Sequence, residues 1–208
     1  MRFIDLTHIL DENIPVWPGT EQPSLTVAAT YEEHGFREME LRLTSHTGTH
    51  MDAPAHLMPD GKTLDEFKIE QFCGKALIVD IRKGHTGVKI ADTEVFKQAD
   101  FLLFYTGWED FWNTKGYFEG FPAVPEGMID MAVKAGKKGV GVDTLSIDAA
   151  DSVDMPNHRR ILSTDSMVIV ENLCNLKGLA GQLIEVCFLP LKFRGSDGAP
   201  VRAIALLD

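Results

Sequence analysis

The sequence predicts an α/β or α+β protein built on a mixed sheet. Three observations carry that expectation: nine segments read as strands, only three read as helices, and several strands are short unbroken apolar runs. "FIDLT" (3–7) opens the series, followed by "SLTVAATY" (24–31) and "REMELRLTS" (37–45). In the last, Met39, Leu41 and Leu43 alternate with charged or polar residues, the pattern of a half-buried strand. "KALIVDI" (75–81), "FLLFYTG" (101–107) and "GVGVDTLS" (139–146) are apolar runs ended by turn residues, and read as central strands buried on both faces. "GVGVD" is an incomplete dinucleotide-loop pattern, so strand is its reading. "MVIVEN" (167–172), "LIEVCFLPLKF" (183–193) and "VRAIALL" (201–207) complete the set, the last two joined by the turn-rich "RGSDGAP". The helices are "ADTEVFKQA" (91–99) with Asp92 as N-cap, "PEGMIDMAVKAGKKG" from Pro125 to Gly136, and a short "TLDEF" turn in which Thr63 and Glu66 form a capping box. Periodicity leaves open whether the sheet closes into a barrel.

The 208 residues contain no repeat, low-complexity tract or linker, so one domain spanning 1–208 is expected. Hydrophobic content of 44% with 25% charged residues suits an ordinary globular core. The net charge of −11, with no basic stretch, excludes a phosphate-backbone footprint and hence a nucleic-acid partner. Asp5 and His8 interrupt the apolar core a signal peptide needs, and no run approaches the ~20 apolar residues of a membrane span. Cys73, Cys174 and Cys187 are odd in number and widely spaced; Cys174 and Cys187 sit in apolar surroundings, so small buried thiols are expected. A cytoplasmic location follows as the expectation.

"HTGTHMDAPAH" (46–56) holds three of the seven histidines and Asp52 in eleven residues. Gly48 between Thr47 and Thr49, with Pro54 and Pro59 beyond, makes a poor helix, so His46 and His50 are not one turn apart as in HExxH proteins. An extended strand would put His46, His50, Asp52 and His56 on one face but spread them over roughly 33 Å, too far for one ion. The stretch therefore reads as strand 37–45 running into a loop that bends at Gly48 and Pro54 and gathers the four side chains. Imidazoles with a hard carboxylate suit zinc, and also manganese or iron. Separate hydrogen bonding of each histidine around a turn is the alternative; the concentration of four ligand-type residues favours a metal site.

This stretch resembles the HxGTHxDxPxH signature of the cyclase family of metal-dependent hydrolases, which includes kynurenine formamidases (arylformamidases) and isatin hydrolases. "DLTHIL", "PVWPGT", "GVDTLSID" with "NHRRIL", "VIVENL" and "LPLKFRGSDGAPVRAIAL" resemble further segments of the family in order along nearly the whole chain. Two positions depart from the formamidase branch: Thr20 and Glu21 follow the Trp-Pro-Gly turn where Asp is usual, and Asn172 replaces the Gly after the metal-strand Glu. Neither removes a ligand, and both bear on the substrate.

The resemblance implies a compact domain with a β-barrel-like core of the swivelling β/β/α type, assembled as a homodimer or homotetramer. It implies that His46, His50 and Asp52 hold a first divalent metal, with Asp52 bridging to a second completed by His158 and Glu171. Zn2+ is the leading ion, one or two per chain, with Mn2+ as the alternative. It assigns His56 as the acid–base histidine and Trp17 as an aromatic wall of the substrate pocket. Glu171 has independent support, because a carboxylate ending the apolar run "MVIV" needs a partner if buried. His158 has none, and by itself reads as a surface histidine beside two arginines. The implied chemistry is attack of metal-activated water on an amide or formyl carbon, with His56 moving the proton.

The expected substrate is a small amide or cyclic amide, with N-formylkynurenine leading and an isatin-like lactam second. A non-catalytic metal-dependent binding protein and a purely structural metal clip are the competing classes. Thr47 and Thr49 either orient ligands or serve the loop, and Asp143, Ser146 and Asp148 either support the site or satisfy a turn. Trp108 and Trp112 either wall an aryl pocket or pack in the core.

Overall fold

The computed structural model describes residues 1–82 and 93–207. In chain order the elements are β1 (Arg2–Asp5), β2 (Ser24–Ala29), α1 (Tyr31–His34), β3 (Glu38–Arg42), β4 (His50–Asp52), β5 (Cys73–Asp80), α2 (Glu94–Gln98), β6 (Phe101–Tyr105), α3 (Glu126–Lys134), β7 (Gly139–Val142), α4 (Pro156–Leu162), β8 (Val168–Glu171), β9 (Leu183–Pro190) and β10 (Gly198–Leu207). The mixed sheet runs β10–β4–β8–β7–β6–β5–β9 and returns to β10, closing a seven-stranded barrel, with β1 added beside the end of β10. The β5–β6, β6–β7 and β7–β8 pairs are parallel; all others in the sheet are antiparallel. The expected mixed α/β sheet and barrel-like core are what the chain forms.

The apolar runs are explained by burial on both faces. Ile78, Phe101, Leu103, Val168, Val170 and Phe188 fill the barrel, whereas Val79, Leu102, Phe104, Val140 and Ile169 face outward under α3 and α4. α3 starts after Pro125 as expected, and its Met128, Ile129 and Ala132 pack on that outer face. The Thr63–Glu66 capping box forms over a single 3-10 turn. Asp92 lies outside the described residues; α2 is capped by Thr93, whose hydroxyl accepts the Phe96 N–H at 3.2 Å.

Three expectations are corrected. The strand expected over 37–45 ends at Arg42 and pairs only with β2 in a separate hairpin. Leu41 and Val27 of this hairpin are half exposed, because the ribbon is a separate two-stranded sheet that is not paired into the barrel. The signature is not all loop: His50–Asp52 is a three-residue strand inserted between β10 and β8. Cys187 is not buried but partly exposed on the outside of β9, while Cys174 is buried as expected. Among the described residues no helix is long and apolar enough to cross a membrane.

Candidate metal centre

β4 assembles the site by register. On one edge His50 stands directly opposite Glu171, and on the other Asp52 stands opposite Gly198. Period-two alternation sends His50 and Asp52 to one side while Met51 enters the barrel core fully buried. Gly48 makes the bend that precedes the strand, with φ of +64°, and its carbonyl accepts the His50 Nδ1–H at 2.9 Å. That bond leaves His50 Nε2 free to coordinate, 3.3 Å from Asp52 Oδ1 and 3.6 Å from Glu171 Oε2.

His158 arrives on α4, a helix that sequence patterning missed. It is buried rather than superficial. Asp148 explains why: its carboxylate accepts the N–H groups of Asn157 and His158 at the start of α4 and also the His158 Nδ1–H at 2.7 Å. His158 Nε2 is thereby aimed at Asp52 Oδ2 (3.4 Å) and Glu171 Oε1 (3.3 Å). Glu171 is itself held by the Ile147 N–H at 2.9 Å.

His46 packs edge-on to His50 and 4.0 Å, centroid to centroid, from His56. Its Nδ1 lies 2.7 Å from Asp52 Oδ1 and its Nε2 3.0 Å from Asp197 Oδ2. Two sets of possible ligand atoms result, each within 4.8 Å of one another: His46, Asp52 and His56; and His50, Asp52 and Glu171. The resemblance groups His46 with His50; the geometry groups His46 with His56, and Asp52 belongs to both sets.

The electrostatics call for positive charge at this point. Burial alone would depress the His46 imidazolium, but Asp52 and Asp197 outweigh it and raise it to about 9. His158 is likewise raised well above its ordinary value, with Glu171, Asp148 and Asp52 overcoming burial. Asp52 is held well below the usual carboxylate range: His46 and His50 override a burial that would raise it. His56 moves the other way, lowered by burial and by the neighbouring His46 and His158 against the pull of Asp52 and Glu171. A divalent metal fits these residues. Asp52 Oδ2 is buried without a hydrogen-bond partner, and the donor set of imidazoles and carboxylates is that of zinc or manganese. His50, Asp52, His158 and Glu171 would hold it most closely, with His46 beside Asp52.

A cavity of about 310 Å³ opens over these groups, walled by Trp17, Thr20, Leu145, Ser146 and Met155. Trp17, the aromatic that the resemblance implies for the pocket wall, lines this cavity. Trp108 and Trp112 are not among the lining residues; they pack with Tyr117, Phe121 and Leu145. Asp143 accepts the N–H groups of Thr106 and Gly107 and satisfies that turn, whereas Asp148 supports the site and Ser146 lines it. Thr47 and Thr49 serve the loop, donating to the carbonyls of Thr44 and Asn172. Asn172, at the glycine position of the formamidase branch, adopts φ of +56°, a conformation asparagine tolerates better than most residues. Its side chain donates to the Gly48 carbonyl and accepts the Tyr117 hydroxyl, so it braces the bend. Sequence reasoning missed Asp197 and Gly198. They lie in a turn-rich stretch that reads only as backbone; in the structure a Cβ on Gly198 would come within 2.5 Å of the His46 ring.

The chain is similar to several known proteins. The family model described as "Putative cyclase" matches residues 4–149. A kynurenine formamidase of Salinibacter ruber is 31% identical over 221 residues, covering 98% of this chain and 97% of that protein. One of Bacillus cereus is 32% identical over 209 residues, covering 98% and 96%. Among solved structures, isatin hydrolase A from Labrenzia aggregata superposes with a TM-score of 0.85 at 23% identity, covering 98% of this chain and 93% of that one; at that identity the likeness is one of fold. A "predicted metal-dependent hydrolase" from Bacillus stearothermophilus superposes with a TM-score of 0.76 at 26% identity, covering 98% and 97%. With the signature, the barrel and these relatives together, the chain belongs to the cyclase family.

Proposed function

We propose that this metal-dependent amidohydrolase cleaves the formamide bond of N-formylkynurenine, releasing an aryl amine and formate, with Zn2+ as its ion. The observation that carries the reading is the convergence of His46, His50, Asp52, His158 and Glu171 beneath an aromatic-walled cavity, in a chain 31–32% identical to two kynurenine formamidases over nearly its full length. When bound, the metal supplies a lowered pKa for water and polarisation of the scissile carbonyl.

The residues supply the rest. Trp17, Leu145 and Met155 offer apolar surface for an aryl ring. Asp148 fixes the His158 tautomer, and Gly48 does the same for His50. His56 is half-buried beside His46, and its lowered pKa keeps it neutral near pH 7. It therefore accepts a proton from the attacking water and returns it to the departing nitrogen. An isatin-like lactam is the second reading, supported by the shared fold with isatin hydrolase A. A homodimer or homotetramer in the cytoplasm is proposed with it; the half-exposed Val27 and Leu41 of the β2–β3 hairpin offer apolar surface to a second copy.

The test is metal content of protein purified without added metal, followed by turnover of N-formylkynurenine and isatin before and after chelation. Bound zinc with chelator-sensitive formamide cleavage is expected. Turnover of isatin alone would overturn the formamidase reading. Stoichiometric metal without turnover of any amide would leave a binding protein.

A further inference from the structure

The three cysteines play no part in the hydrolytic site, yet two of them meet. In the antiparallel β5–β9 pair, Cys73 stands directly opposite Cys187. The hydrogen bonding fixes what kind of opposition this is. The Ile78 N–H donates to the Gln182 carbonyl at 3.0 Å, marking a bonded position. Alternation then makes Ala76/Ile184 and Gly74/Val186 bonded pairs, and Lys75/Glu185 and Cys73/Cys187 unbonded ones. Two contacts agree: the Lys75 N–H and carbonyl are taken by Asp100, and the Cys73 carbonyl accepts Lys138 Nζ at 2.8 Å. Opposed residues at an unbonded position have Cα atoms about 4.5 Å apart, within the roughly 4.4–6.8 Å a disulfide spans. Both thiols are reduced, both are partly exposed, and both lie on the outer side of the seam where β9 closes the barrel.

We propose that Cys73 and Cys187 form an oxidisable dithiol, a modification site at which a low-molecular-weight disulfide installs a cross-strand bond between β5 and β9. One thiolate attacks the reagent's sulfur–sulfur bond, giving a mixed disulfide and releasing one small thiol. The second cysteine, as thiolate, attacks the mixed disulfide at the protein sulfur and releases the other small thiol. The protein loses two electrons and two protons, and one reagent disulfide becomes two thiols. Burial and the adjoining Cys187 thiol push Cys73 up to about 12, so thiolate is scarce at neutral pH and exchange accelerates with pH. The bond would enclose residues 74–186, including β6, β7 and β8, and would constrain the unfolded chain strongly. Neither β5 nor β9 contributes a side chain to the metal centre, so hydrolysis should continue at its reduced rate.

The experiment uses reduced full-length protein incubated with oxidised glutathione at pH 7 and pH 9. The expected product has lost two hydrogens by intact mass, yields a peptide joining Cys73 to Cys187, forms faster at pH 9, and unfolds on the order of 5–10 °C higher. Adding a reductant should return the wild-type midpoint, which tests the bond without any substitution. Cys73→Ser and Cys187→Ser should each stop at a glutathione adduct or remain unmodified, with no rise in midpoint, while Cys174→Ser behaves as wild type. A wild-type protein that keeps both thiols free, holds a stable mixed disulfide at either position, or links through Cys174 would overturn the proposal.

Discussion

Replacing Asp148 with asparagine tests how the site is held together. The wild-type carboxylate accepts three donors: the N–H groups of Asn157 and His158 and the His158 Nδ1–H. An amide of the same shape keeps one acceptor oxygen and turns the other position into a donor, so at least one of the three is left facing an N–H. Losing a charge-assisted hydrogen bond in this buried place costs about 1.5–3 kcal/mol. The orienting effect on a metal-ligating histidine corresponds to a further 10–100-fold in metal affinity, about 1.4–2.7 kcal/mol. Chelator competition on Asp148→Asn should therefore show metal affinity down 10–100-fold. Urea unfolding of the metal-free protein should show a loss of about 1.5–3 kcal/mol. At saturating metal most turnover should return, because His56 is untouched. Wild-type metal affinity in this variant would refute the role given to the Asp148–His158 contact.

Other substitutions address separate links. His56→Ala should retain stoichiometric metal and lose 10²–10⁴-fold in kcat/KM; metal lost by mass spectrometry would instead make His56 a ligand alongside His46 and Asp52. Gly198→Ala should push a methyl into the His46 ring, which Asp52 and Asp197 pin from two sides, and cost about 1–3 kcal/mol in unfolding together with weaker metal binding. Met155 lines the cavity with φ of +44°, so Met155→Gly should leave the thermal midpoint near wild type while raising KM for aryl amides; a lowered midpoint with unchanged KM would count against the pocket role. His8 stacks on Trp112 and is lowered by burial to about 4. Between pH 6.5 and 4 the unfolded chain binds its proton and the folded chain does not, so stability is full above 6.5 and falls as the pH drops. His8→Phe should abolish about 2 kcal/mol of that acid loss, after discounting for partial exposure, as read from unfolding midpoints at pH 7 and pH 4.5.

Much of the fold was legible because burial on both faces writes itself as unbroken apolar runs, and "ALIVDI", "FLLFY" and "MVIV" became β5, β6 and β8. β4 was not, since three residues have no period to read and its neighbours are fixed by pairings more than a hundred residues away. The ligand types in the signature were visible, and so was the need for a bend at Gly48. The grouping of those ligands was not, because it depends on where the bend returns the chain. His158 could not be found from its neighbours: α4 begins at Pro156 after a left-handed Met155, and what orients it is a carboxylate ten residues upstream. Asp197 was masked by the turn residues around it, which describe the backbone and say nothing of what the side chain meets.

The brevity of β4 has a consequence for quality control in the cell and in the test tube. With Met51 in the core and His50 and Asp52 on the opposite side, a slip of one residue would bring His50 and Asp52 into the oily interior and send Met51 to the metal side. Asp52 belongs to both sets of ligand atoms, so its displacement would break both at once. A chain that has closed its barrel in the wrong register would bind metal more weakly, so ion uptake reports on correct folding. An engineer reshaping the cavity for another amide has therefore to leave this one tripeptide and its two flanking strands alone, and has the lining residues on the surrounding loops to work with.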